Sequence, residues 1–173
     1  MRRLLLALVG LLALAACSMA PITIDVLPML GDDASGSRQI ASAGPVEMLL
    51  PGPDGRQVSG YEVPPIRPAT VALDYALDLQ RDGQMEGDVT VTFYLAASES
   101  DLWKAESQLG EPLAVSLAET AQTLSGTLEL NGAQIDALMS GNMVIGAKLT
   151  GTATGQATIS YEFTKLLLKV TFI

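Results

Sequence analysis

Val71-Ala72-Leu73-Asp74-Tyr75-Ala76-Leu77-Asp78-Leu79 alternates apolar and small or polar residues without a break. Ten residues on, Val89-Thr90-Val91-Thr92-Phe93-Tyr94-Leu95 does the same. A period of two places every second side chain on one face, the pattern of a half-buried β-strand. Between the two runs lies Arg81-Asp82-Gly83-Gln84-Met85-Glu86-Gly87, polar and twice interrupted by glycine. Two alternating runs around such a segment predict an antiparallel hairpin with one buried face.

The same period recurs downstream. Leu113, Val115 and Leu117 mark one further strand, and Leu124, Leu128 and Leu130 another, with Gly126 on its face. Asn131-Gly132-Ala133-Gln134 has the form of a capping box, with Ile135, Leu138 and Met139 at helical spacing and Gly141 placed to end the helix. Met143, Ile145, Ala147 and Leu149 resume the strand period, and Gly151-Thr152-Ala153-Thr154-Gly155 reads as the next turn. The last run is apolar at odd positions through Phe163 and at even positions from Leu166. A strand cannot change phase without an extra residue, so a bulge, kink or sheet switch is predicted at Thr164–Lys165. The fold class expected is mostly β: an antiparallel β-sandwich of about seven strands, of immunoglobulin-like size, with one short helix over 69–173. A closed β-barrel is the alternative.

Residues 17–68 differ. They hold eight of the nine prolines and the polar run Gly31–Ser37. Ile22–Val26 suits an edge strand, and Pro53-Asp54-Gly55 suits a turn between Val46–Leu50 and Gln57–Val63. The segment is either a Pro-rich extended arm ending at Pro64-Pro65-Ile66-Arg67-Pro68 or a set of strands added to the domain.

The start of the chain has a different logic. Met1-Arg2-Arg3 is followed by an apolar run from Leu4 to Ala16, and Leu14-Ala15-Ala16-Cys17 closes it with the only cysteine of the 173 residues. This order of charge, apolar stretch, small residues and cysteine resembles the lipobox of bacterial lipoproteins. The resemblance covers residues 1–17. It implies that 1–16 is a signal peptide, that Cys17 is the lipid attachment site, and that the mature chain is anchored in the membrane of a bacterial cell envelope. Ser18 in place of an aspartate implies the outer membrane where the host has two.

Composition limits the function. Net charge is −9, and removal of Arg2 and Arg3 leaves eight basic residues against nineteen acidic, or −11. No nucleic acid partner is expected, because phosphate binding needs a basic face. With no histidine and one cysteine, the commonest metal ligands and the Ser-His and Cys-His arrangements are missing. Asp82, Glu86 and Asp88, and Asp32-Asp33, offer oxygen ligands for calcium, but their spacing departs from the EF-hand and turns favour Asp and Gly anyway. Asp74 and Asp78 lie about 13 Å apart along one strand, too far for paired acid-base work on one bond. Trp103 is expected to plug one end of the core. No catalytic residue, metal or cofactor is assigned. The expected function is a non-catalytic module that binds or scaffolds another envelope protein, through its arm or the sheet edges. The alternatives are a carrier for an apolar ligand inside a barrel and, behind it, a carboxylate-dependent hydrolase.

If Cys17 carries the lipid, Cys17→Ser abolishes metabolic labelling of the protein with a radiolabelled fatty acid. Labelling equal to wild type would contradict this.

Overall fold

The computed structural model describes residues 20–172. Cys17 and the signal peptide expected over 1–16 lie outside the described residues.

Seven strands form one antiparallel sheet: β1 (Ile22–Asp25), β2 (Ser35–Leu50), β3 (Arg56–Ser59), β4 (Thr70–Ala96), β5 (Gln108–Ser116), β6 (Ala121–Glu129) and β7 (Asn142–Thr171). Helix α1 (Leu27–Leu30) and a 3-10 turn join β1 to β2, and α2 (Gly132–Met139) joins β6 to β7. Strands β4 and β7 pair along their whole lengths, from Thr70 opposite Thr171 to Ala96 opposite Val144. On the other side of β7 lie β1, β2 and β3 in succession. On the other side of β4 lie β6, opposite residues 72–80, and β5, opposite residues 88–94.

This sheet is folded on itself. Tyr75 and Phe93 are eighteen residues apart on β4, which would separate them by about 60 Å in a straight strand. Their ring centroids are 4.6 Å apart. The two halves of β4 therefore face each other, and β7 and β2 double back with it. One layer holds β1, the first half of β2, the second half of β7, the first half of β4, and β6. The other holds the second half of β2 with β3, the first half of β7, the second half of β4, and β5. The result is an open sandwich, not a closed barrel.

The fold line runs through Gly83, Gly87, Gly151 and Gly155. Gly87 has φ of 141° and Gly155 of 119°, in the region that favours glycine. A Cβ on Gly87 would stand 2.2 Å from the Thr152 carbonyl oxygen, and one on Gly155 would stand 2.3 Å from that of Gln84. At these positions the paired strands leave no room for a side chain. Met85, Ala153 and Ala157 are buried at the bend.

The segment expected to be a hairpin loop is thus continuous strand, and Gly151–Gly155 is likewise strand, not turn. Runs 71–79 and 89–95 pair with β7 rather than with each other. They meet through their side chains, as opposite walls of the core. Phe163 and Tyr161 extend that aromatic cluster from β7.

Of the two readings of residues 17–68, added strands are what the described part displays. Ile24, Val26, Leu30, Met48, Leu50 and Val58 all bury in the common core. The Pro53–Gly55 turn separates β2 from β3, but both pair with β7. The linker to β4 is tied down by Tyr61, whose hydroxyl donates to the Leu138 carbonyl at 2.8 Å. Burial pushes this phenol up to about 12.

Local signals elsewhere were reliable. The bulge expected at Thr164–Lys165 is present: Ala76 opposes Lys165 and Leu77 opposes Phe163, leaving Thr164 unpaired. The capping box of α2 forms, with Gln134 N–H donating to Asn131 Oδ1 at 3.0 Å and Asn131 N–H to Gln134 Oε1 at 2.8 Å. Trp103 does not plug the core. It covers a small separate cluster of Ala96, Leu102 and Val144 with Tyr94, while its indole N–H donates to the Pro53 carbonyl at 2.6 Å.

Gly87→Val should cost about 2 kcal/mol or more in urea unfolding, through backbone strain and the clash with Thr152. Gly44→Ala, with open space at its Cβ, should cost much less. Equal costs would remove the fold line as the controlling feature.

Candidate functional site

The sandwich has two open sides, and its edge strands differ in how they are protected. Strands β1 and β3 have four residues each. Strand β2 is long but carries Pro45 at mid-length, where the chain turns and Gly44 N–H donates to Ser42 Oγ at 3.2 Å. Strand β5 is interrupted between its pairings with Val91 and Phe93, and that break holds Gly110, Glu111 and Pro112. Short length, proline, charge and bulges are the usual means of blunting an edge. Strand β6, Ala121-Gln122-Thr123-Leu124-Ser125-Gly126-Thr127-Leu128-Glu129, has none of them through its first eight residues.

Hydrogen-bond parity fixes which backbone groups of β6 are free. Leu130 N–H donates to the Val71 carbonyl at 2.9 Å, and Arg81 N–H to the Thr120 carbonyl at 2.8 Å. Between these ends the register is unbroken. In an antiparallel ladder, bonded positions alternate. Gln122, Leu124, Gly126 and Leu128 therefore direct their backbone groups to β4. Ala121, Thr123, Ser125, Thr127 and Glu129 direct theirs off the sheet.

The outer face behind this edge is held by carboxylates of β4. Thr127 Oγ1 donates to Asp74 at 2.7 Å, and Thr123 Oγ1 donates to Asp78 at 2.5 Å. Asp74 is 5 % exposed and receives Lys169 Nζ at 2.7 Å and Lys165 Nζ at 3.1 Å. Hydrogen bonds from Lys169, Thr127 and Lys165 hold its carboxyl well below the usual carboxylate range. The network spans β6, β4 and β7 and fixes two threonine rotamers beside the free edge. On the inner face the Tyr75 ring lies over Gly126, where a Cβ would be 3.1 Å from its hydroxyl. The β6 register is unbroken at Gly126, and its near neighbour is this side chain, not backbone.

The structure does not gather the other sequence candidates into a site. Asp82, Glu86 and Asp88 are spread along β4, opposite Thr158, Thr154 and Thr152 of β7. Asp33 instead pairs with Arg56 at 2.9 Å. Among the described residues, no group of three or more His, Cys, Asp or Glu is placed to hold a metal ion. Asp74 and Asp78 do not converge; each bonds its own threonine. Cys17 lies outside the described residues. The β6 edge itself was not singled out in the sequence, although an uncharged, proline-free run of this length was its visible sign.

The space between the layers is filled. The apolar void beside Leu30, Leu50, Phe93, Leu109 and Phe163 measures about 20 Å³, room for about one water.

Among the described residues, the geometry defines an open, seven-stranded antiparallel β-sandwich with one unprotected edge. No family model matches the chain. No curated protein matches it either. Among solved structures it is similar to a chain of infectious bursal disease virus Gx strain, at 16% identity and TM-score 0.47, covering 89% of this chain and 33% of that one. A chain of the Gt strain gives 13% identity and TM-score 0.39, covering 90% and 34%. The present chain thus spans about a third of the length of either. Likenesses at this level leave function to be read from the chain's own surface.

The Asp74 network has a pH signature. Its carboxyl titrates lower folded than unfolded, where about 3.9 is usual. Its contribution is therefore complete above that value and is lost as pH falls through the folded one. In urea unfolding from about pH 6 down to about pH 2, the stability gap between wild type and Asp74→Asn should narrow as pH falls. A gap independent of pH would contradict the network.

Proposed function

We propose that this protein is a lipid-anchored module of a bacterial cell envelope that acts by binding, adding an extended segment of another envelope protein to the β6 edge. The anchor is the acylated Cys17, and the outer membrane is its site where the host has two. The observation that carries the binding role is the free edge itself. Five alternate residues of β6 offer unpaired N–H and C=O groups in a regular array. Strand addition uses such an array for affinity and the flanking side chains for selectivity. Thr123, Ser125 and Thr127 would meet the partner's outer face, and Leu124 its inner face. The ion pairs behind the edge preorganise it, which lowers the ordering cost on binding.

The filled interior favours surface binding over internal carriage of an apolar ligand, because a carrier needs a cavity of a few hundred cubic ångströms. The separation of Asp74 and Asp78, each bound to threonine, gives no support to a carboxylate hydrolase.

A photo-crosslinking residue at Ser125 in the full chain, expressed in cells, is expected to yield a recurrent adduct with one envelope protein. The same residue at exposed Gln84, on the fold line, should not. Ser125→Pro removes an N–H that points off the sheet while leaving the ladder to β4 intact. With the crosslinker moved to Thr127, it should abolish the adduct. If Ser125→Pro fails to fold, Thr123→Lys provides the same test by charge. Adducts at Gln84 alone, or adducts indifferent to both substitutions, would contradict edge binding.

A further inference from the structure

We propose that the end of the sandwich around Ile66 is a second membrane contact, with a lipid bilayer as its partner. The inference rests on acylation of Cys17. Strand β1 opens at Ile22, five residues after Cys17. Five residues reach at most about 18 Å. Whichever end of the domain carries Ile22 is therefore held against the bilayer.

Register shows what else stands there. Ile22 and Val71 flank Val170 from either side, and Ala69 N–H donates to the Thr171 carbonyl at 2.9 Å. Ile22 and Val71 are thus two strand spacings apart, about 10 Å. The linker just before Ala69 is Pro64-Pro65-Ile66-Arg67-Pro68. Arg67 pins it to the first turns of α2, pairing with the Asp136 carboxylate and donating to the Gly132 carbonyl at 3.3 Å.

Ile66 is 50 % exposed, the one large apolar side chain so exposed among the described residues. A single exposed isoleucine ordinarily means little. This one sits on a loop stiffened by prolines, so little entropy is lost on seating it. It also sits at the end the tether reaches. Across residues 20–22 and 64–71 the only ionisable side chain is Arg67, and Asp136, its ion-pair partner, balances its charge. The segment that carries Ile66 thus adds no net charge of its own against the bilayer. Ile66 then enters the boundary between headgroups and acyl chains beside the lipid of Cys17. Two contacts fix orientation where one leaves a swivel. The glycine fold line points away from the membrane, and the β6 edge stands clear of it.

The test uses the full lipidated protein in vesicles of phosphatidylethanolamine and phosphatidylglycerol. Ile66→Cys and Gln84→Cys are labelled in turn with an environment-sensitive fluorophore, and the vesicles carry a lipid-borne quencher. Quenching at position 66 should exceed that at position 84 several-fold, with a blue-shifted emission at 66 only. Equal quenching, reversed quenching or none at either site in floated vesicles would overturn the proposal while leaving the anchor intact. Protein that fails to float would overturn the anchor, and this contact with it. With the reporter at Ala133→Cys, Ile66→Asp should remove most of the quenching. Undiminished quenching would show that the tether alone sets the orientation and would overturn the role of Ile66.

Discussion

Two strands of 27 and 30 residues can belong to a small domain only if they fold back, and four glycines decide where. At Gly83, Gly87, Gly151 and Gly155 the paired strands β4 and β7 lie so that any Cβ would meet the neighbouring backbone within 2.2–2.7 Å. This close approach turns one sheet into two layers. It brings Tyr75 against Phe93, leaves in the core a void of only about 20 Å³, and leaves each layer four strands wide. Every edge of the molecule follows from it, because the strands that cover β4 and β7 are shorter than the ribbon they cover.

Part of this was legible in sequence because it is local. The alternation at 71–79 and 89–95, the phase change at Thr164 and the capping box at Asn131 depend on residues a few positions apart. They appear in the structure where the pattern places them. The fold line was not legible for the same reason. Polar residues with glycine read as a turn over a short window, and only the paired ribbon distinguishes a turn from a strand that bends. The partner of Val71–Ala96 is Val144–Val170, a pairing no local pattern announces. The strands of 22–59 were open between two readings because proline suits both an extended arm and an edge strand. They resolve into edge strands because β7 would otherwise expose its flank.

The candidate site has the same origin. Strand β6 contains nothing chemically unusual, so composition and motif gave it no weight. Its character comes from what lies beside it: β4 on one side and, among the described residues, no strand on the other. The outer network of Thr127, Asp74, Lys165 and Lys169 joins residues from three strands and likewise has no sequence motif. By contrast, Leu14-Ala15-Ala16-Cys17 is a linear signal and is readable without any structure. The proposed role joins the two. In that proposal a short tether from Cys17 holds one end of the sandwich, and the β6 edge along its side takes the partner strand.

The claim on which this account turns is that β6 is a free edge with alternating polarity. Amide hydrogen exchange of the isolated protein, resolved by residue, measures that directly. Exchange should alternate along β6: slow at Gln122, Leu124, Gly126 and Leu128, which bond to β4, and fast at Thr123, Ser125 and Thr127. Slow exchange at both sets would mean the edge is already covered, and fast exchange at both would mean β6 is not paired to β4; either result would contradict the account.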